Sequence, residues 1–279
     1  MRIFMTGATG YIGGAVAEAL RRANHDVAAL VRPDADSSHL RAQGVFVIAG
    51  DLDSLPSLGE TLAGCDAFIH TAAAKKKTAE LDLLAVDTFT ALGKPFVYTS
   101  GVWILGNTQD ADEGSDVNPL SLVTWRAAHE ERVIASGGAV LRPGCVYGGK
   151  QSLLAGWFLA AQQKEPVEII GDGTNRWAMV DLREAADCYV RAIEQRATGV
   201  LHAIDDSDST LLDMAHLIGA DTKLVPLDEA RASLGDFADA LAVDQRIRSS
   251  ATRQKLGWQP RKTFASTLDI QWAEFRAAM

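Results

Sequence analysis

Gly7, Gly10 and Gly13 follow directly on the apolar run Ile3-Phe4-Met5, in the stretch MTGATGYIGG, where the chain begins to read as a helix. Glycine is a poor helix former, so three glycines at a helix start need a cause outside the helix. A strand ending at Met5, a glycine turn and a helix from Tyr11 supply one. Gly7 takes the tight turn, Gly10 lets the backbone approach a phosphate, and Gly13 lets the helix lie close against the strand. Unpaired N–H groups at the helix start then face the anion. The Gly-Lys-Ser/Thr ending of a nucleoside-triphosphate loop is missing, so the spacing predicts a dinucleotide site in a βαβ unit.

The rest of the chain supports that setting. Short apolar runs at Arg2–Met5, Asp26–Val31, Val45–Ile48, Ala67–His70, Pro95–Thr99 and Ala139–Leu141 alternate with helical segments at Tyr11–Ala23, Ser37–Gln43, Ser54–Ala63, Thr78–Leu92 and Leu122–Ser136. This alternation predicts an α/β fold, a Rossmann-type doubly wound parallel sheet with helices on both faces. Past Leu141 the rhythm loosens: a helix at Ser152–Gln163, a strand at Val167–Ile170, a turn at Gly171–Trp177, a helix at Arg183–Arg196 and a strand at Val200–Ile204. Short helices dominate from Leu211 to Phe275. The expected division is a dinucleotide-binding core over 1–148 and a smaller, mainly helical substrate part over 149–279, with about 177–204 returning to the core.

Composition narrows the partners. A net charge of −9 over 279 residues works against nucleic acid or an anionic membrane as the main partner. The lysine run Lys75-Lys76-Lys77 reads as the solvated start of a helix. Cys65, Cys145 and Cys188 are scattered and odd in number, which suggests neither disulfides nor a zinc site; no metal is expected. With no signal or membrane-spanning run, the expectation is a cytoplasmic protein acting on a small molecule, with a homo-oligomer left open.

The end of the second strand discriminates between nicotinamide dinucleotides, an acid there taking the ribose hydroxyls and an arginine a 2′-phosphate. In ALVRPDAD, Arg32 follows the strand directly and favours NADP, while Asp34 and Asp36 keep NAD open.

These stretches together, with GDLDSLPSLGETLAGCDAFIHTAA, FVYTSGVWILG, LRPGCVYG and GDGTNRWAMVDLREAA, resemble the extended short-chain dehydrogenases/reductases that include sugar-nucleotide epimerases and dehydratases. The resemblance runs from Met1 to about Ala192. It implies that Thr6, Gly7, Thr9, Gly10, Tyr11, Ile12 and Gly13 hold the cofactor and that Asp51 and Leu52 contact the adenine. Thr71, Ala72 and Ala73 would line its ribose and phosphates, Thr99 and Ser100 would lie beneath the nicotinamide, and Arg142, Pro143 and Gly144 would pass beside that ring. Gly101, Trp103, Trp125, Trp157 and Trp177 are the implied substrate-pocket residues.

The family's chemistry depends on a Tyr-x-x-x-Lys pair and a nearby Ser or Thr, because hydride transfer makes or consumes an alkoxide and a hydroxyl of lowered pKa must exchange the proton. Here the pair is absent. No tyrosine lies between Tyr98 and Tyr147, no lysine between Lys94 and Lys150, and none of the four tyrosines has lysine four positions later. Trp125, His129 and Gly101 occupy the three positions. An indole N–H has no useful acidity; an imidazole exchanges protons near neutrality. His129 is therefore a candidate catalytic group, or else a solvated or capping residue, and Tyr147 is a candidate cleft-facing hydroxyl, or else a structural aromatic. Two functions follow: an atypical NAD(P)-dependent oxidoreductase or epimerase/dehydratase-like enzyme for a small carbonyl or hydroxyl compound, and a non-catalytic NADP-binding sensor.

Overall fold

A computed structural model describes residues 1–149 and 151–278. The first half alternates strand and helix: β1 (Arg2–Thr6), α1 (Tyr11–Arg22), β2 (Asp26–Val31), α2 (Ser38–Ala42), β3 (Phe46–Ala49), α3 (Gly59–Ala63), β4 (Ala67–His70), α4 (Thr78–Thr90), β5 (Phe96–Thr99), β6 (Thr108–Ala111), α5 (Arg126–Ala135) and β7 (Ala139–Pro143). Beyond it come β8 (Cys145–Tyr147), α6 (Ala155–Gln163), β9 (Val167–Ile170), β10 (Met179–Asp181), α7 (Leu182–Glu194), β11 (Gly199–Ala203) and α8 (Leu211–Ile218). The chain finishes with β12 (Thr222–Val225), α9 (Leu227–Leu234), α10 (Phe237–Leu241), β13 (Gln245–Ile247), α11 (Ser250–Leu256) and α12 (Leu268–Ala278).

Seven strands form one parallel sheet in the order β11-β7-β5-β4-β1-β2-β3, so the fold is the Rossmann-like α/β sandwich. Alternate residues of β1 face opposite ways: Ile3 and Met5 join the core beneath α1 and α7, whereas Phe4 joins Phe68, Phe89 and Tyr98 beneath α4 and α5. Burial on both faces explains why the central strands read as continuous apolar runs. A separate core gathers Tyr147, Phe158, Trp177, Met214 and Phe264 in the later part of the chain. Residues 182–203 belong to the first layer system, since α7 packs on α1 and β11 is the outermost sheet strand.

Two expected helices are shorter. The segment from Ser54 divides into a 3₁₀ stretch, Leu52–Leu58, and α3; Pro56 within it lacks the N–H that an α-helix interior needs. The helix expected from Leu122 begins at Arg126, after a 3₁₀ turn at Ser121–Val123. The sequence reading missed β6, β8, β10, β12 and β13, three- or four-residue strands that pair in twos outside the main sheet.

Among the described residues no helix is long and apolar enough to cross a membrane.

Candidate functional site

Strand order reverses at β1: the chain goes outward through β2 and β3, then returns to β4 on the other side. Crevices beyond the carboxyl ends of strands at such a reversal are where ligands bind in open α/β sheets. A cavity of about 540 Å³ opens there. Its walls include Thr6, Gly7, Thr9 and Gly10 from the first turn, Arg32, Asp51 and Leu52 from the β2 and β3 exits, and Thr71, Ala72 and Ala73 from the β4 exit.

The turn is shaped so that only glycine fits. Gly7 has φ +81°, and a Cβ there would lie 2.6 Å from the Ala72 nitrogen. A Cβ on Gly13 would stand 2.1 Å from the Gly7 carbonyl oxygen, so α1 lies directly against the turn. Gly10 offers no side-chain cap to α1, and the first turn of that helix carries no acid. Its leading N–H groups are thus left for an anion, as a dinucleotide diphosphate requires.

A second cavity, about 460 Å³, is bordered by Tyr11, Ile12, Ser100, Gly101, Trp103, Arg126, Pro143, Gly144 and Cys145. Gly10 borders one cavity and its neighbour Tyr11 the other, so the two flank the start of α1.

Several expected site residues lie elsewhere. Arg142 is buried in a bidentate pair with Glu130, its Nε 3.1 Å and 3.2 Å from the two carboxylate oxygens, so only the backbone neighbours Pro143 and Gly144 reach the cavity. The Thr99 hydroxyl accepts a 2.8 Å bond from the Tyr189 hydroxyl instead of facing the cavity. Trp157 and Trp177 pack on each other at 6.0 Å in the later core and border neither cavity. Trp125 immediately precedes α5 and meets His129 edge-on at 5.1 Å, as spacing of four residues implies. Asp51 borders the first cavity while also capping the 3₁₀ stretch, accepting from the Ser54 N–H at 3.2 Å.

His129 is neither solvated nor cleft-facing. It is buried, and its Nδ1 lies 2.7 Å from Asp82 Oδ2. Asp82, on α4, is the hub of a polar network inside the sheet's aromatic layer. His70 Nε2 approaches Oδ1 at 3.2 Å, and the Tyr98 hydroxyl donates to Oδ2 at 2.7 Å. His70 Nδ1 is 2.6 Å from the Thr6 hydroxyl, which borders the first cavity. Arg126 Nη1 donates to the Tyr98 hydroxyl at 2.8 Å and to the Thr99 carbonyl at 3.0 Å, and borders the second. Burial alone pushes the Asp82 pKa up, but hydrogen bonds from His129 and His70 and the nearby charge of Arg126 outweigh it and hold the carboxyl below its ordinary range. Tyr98 is fully buried in the sheet's packing and also anchors this network.

Tyr147 is likewise turned away from both cavities. It is fully buried in β8 and donates a 2.7 Å bond to Asp205. Burial pushes the tyrosine pKa up and lifts Asp205 to about 6 despite the bonds that Asp205 accepts. The pair ties β8 to the loop after β11.

The sequence reading missed Asp82, Arg126 and the lysines. Lys75 and Lys76 are exposed, as expected, but precede α4 and border the first cavity. Two signals were available: an acid inside the apolar run LDLLAV, and a cation at a helix start, where the helix dipole disfavours it.

Comparisons with known proteins bear on this geometry. Residues 1–109 match the model of the NmrA-like family. An uncharacterized protein of Schizosaccharomyces pombe is 31% identical, over 93% of this chain and 95% of its own length. The chain is an atypical short-chain dehydrogenase/reductase. A ceramide reductase of Caulobacter vibrioides is 27% identical to this short-chain dehydrogenase/reductase, over 85% of the chain and 77% of its own length. The fold is shared with dTDP-glucose 4,6-dehydratase of Bacillus anthracis, whose crystal structure is a complex with NAD. That match has a TM-score of 0.84 at 14% identity and covers 99% of this chain and 97% of the other. The chain thus has reductases among its sequence relatives and shares its fold with an NAD-binding dehydratase.

Proposed function

We propose that this protein is an NADP-dependent reductase of a small apolar carbonyl compound. The observation that carries the reading is the meeting of two cavities at the uncapped start of α1. One holds the glycine turn and Arg32; the other is mainly apolar. A dinucleotide laid across that start puts its diphosphate on free N–H groups, with one nucleoside in each cavity.

In the first cavity Arg32 Nε rests 3.7 Å from Asp34, both side chains largely exposed. A 2′-phosphate offers the guanidinium a stronger, multidentate partner than that exposed carboxylate. Lys75 and Lys76 stand on the β4 side of the turn and Arg32 on the β2 side. β4 and β2 flank β1 on opposite sides; on this reading the lysines serve the diphosphate and Arg32 the 2′-phosphate.

When bound and reduced, the nicotinamide supplies hydride. Among the described residues around the second cavity, no side chain is poised to exchange the accompanying proton near neutrality. Burial pushes the Tyr11 phenol up, and its hydroxyl is already given to the Gly148 carbonyl. Burial pushes the Cys145 thiol up to about 12. Solvent is then the proton source, and the residues' work is binding and orientation. The same observation favours a second reading, a dinucleotide-binding sensor without turnover. Support for turnover comes from the reductases among the relatives and from a cavity large enough for a small substrate.

The test follows NADPH consumption with a panel of apolar aldehydes and ketones, together with NADPH and NADH binding by wild type and Arg32→Ala. The reading expects consumption with some members of the panel. It also expects roughly a tenfold loss of NADPH affinity in the variant, as for one charge-assisted contact, with NADH affinity unchanged. Tight NADPH binding with no consumption across the panel favours the sensor. Equal loss for both dinucleotides contradicts the assignment of Arg32.

A further inference from the structure

Arg126 opens α5 against the direction of the helix dipole, which favours anions at that end. Its position is held by other contacts: Nη1 is used by the Tyr98 hydroxyl and the Thr99 carbonyl, and it sits 3.7 Å from Asp82. The guanidinium carbon lies 4.3 Å from the centre of the Trp125 ring. Stacking and two hydrogen bonds fix the plane of the group, and Asp82 offsets the cost of its partial burial.

Arg126 borders the second cavity, and Nη1 is the nitrogen committed to protein partners. Among the described residues, Nε and Nη2 of Arg126 have no hydrogen-bond partner, and Arg126 is the one charged side chain bordering that cavity. An independent observation points the same way. The Ser100 residue, which borders the same cavity, is 8% exposed, and its hydroxyl oxygen is buried without a partner. Ser100 adjoins Thr99, whose carbonyl holds Arg126. A buried polar group left unpaired is costly; the Ser100 hydroxyl is such a group, and it stands beside a mainly apolar space that Arg126 also borders.

We propose that the second cavity binds an apolar monocarboxylate, its two oxygens taken by the Nε–Nη2 edge of Arg126 and a further bond given by Ser100. The two N–H groups of that edge match the oxygen spacing of a carboxylate, the geometry that makes arginine–carboxylate pairs bidentate. Val102, Trp103, Val123, Pro143 and Val146 supply the apolar walls. The proposal rests on the reading of this cavity as the substrate side of the site, and it narrows the substrate class to acids carrying an aromatic or alkyl body.

Calorimetric titration of the full chain tests it, with a series of carboxylates from propionate to cinnamate, and with cinnamamide and cinnamyl alcohol as uncharged counterparts. Each is titrated with and without saturating NADP⁺. The expected result is saturable binding of the larger carboxylates and binding of the uncharged counterparts weaker on the order of ten- to a hundredfold, the range for losing a charge-assisted pair. Arg126→Gln should lose carboxylate affinity to a similar degree, Arg126→Lys should recover part of it, and both should bind NADP⁺ within about twofold of wild type. Cinnamamide binding as tightly as cinnamate, unchanged carboxylate affinity in Arg126→Gln, or no saturable binding of any member overturns the proposal. A variant that loses NADP⁺ affinity and keeps carboxylate affinity also overturns it, by making Arg126 a cofactor residue. Failure of the wild type to bind NADP⁺ strikes the functional reading instead, whatever the carboxylates do.

Discussion

Asp82→Ala is expected to unfold at a temperature lower by roughly ten degrees, the consequence of losing about 3–5 kcal/mol when one partner of a buried charged network is removed. Asp82 is 2% exposed, and His70, His129, Tyr98 and Arg126 converge on it. Removing the carboxylate leaves three hydrogen-bond donors unpaired in an aromatic layer and Arg126 without its counter-charge. The same carboxylate sets an acid limit. Its pKa in the folded chain lies below the ordinary carboxylate value, so the unfolded chain takes up its proton first. The contribution is therefore complete above the ordinary value and is lost as pH falls toward the folded one, below about pH 4. Thermal melts of wild type and variant between pH 3 and pH 7 check both effects. A loss under about 1 kcal/mol at neutral pH, or a gap between the two that does not narrow on acidification, contradicts this account of the network.

Gly13→Ala is expected to weaken dinucleotide binding by about a hundredfold or more. The added Cβ would lie 2.1 Å from the Gly7 carbonyl oxygen and 2.5 Å from the Thr71 hydroxyl oxygen. Either the turn moves off the helix or α1 moves off the sheet, and each displaces the N–H groups from the diphosphate. Overpacking of this kind costs about 1–3 kcal/mol in stability, so the variant should fold with a lowered melting point and fail in binding. Gly14→Ala is the control: its Cβ would meet nothing closer than 3.4 Å. Near-wild-type affinity in Gly13→Ala would show that the turn does not carry the ligand. Parallel NADPH titrations of the two variants decide it.

The sheet was legible because its chemistry is local. Strands buried on both faces leave continuous apolar runs, and the glycine spacing declares the turn between β1 and α1. The short strands β6, β8, β10, β12 and β13 were not, since Thr108-Gln109-Asp110-Ala111 or Cys145-Val146-Tyr147 carries neither alternation nor enough apolar length to stand out. The inner site was least legible because its partners are distant along the chain. His129 meets Asp82, 47 residues earlier, and Tyr147 meets Asp205, 58 residues later. A sequence shows that an imidazole or a phenol is present; it does not show the carboxylate across from it. Arg142 is the same case, its guanidinium turned inward by Glu130. The absence of a Tyr-x-x-x-Lys pair needs no tertiary information; that Arg126 and Ser100 border the second cavity does.

Dinucleotide affinity tests the central claim most directly. Fluorescence titration of the purified chain with NADPH and NADH at low salt should give saturable one-to-one binding, tighter for NADPH and weakened as salt screens Arg32, Lys75 and Lys76. Absence of saturable binding for both dinucleotides would contradict the account at its base.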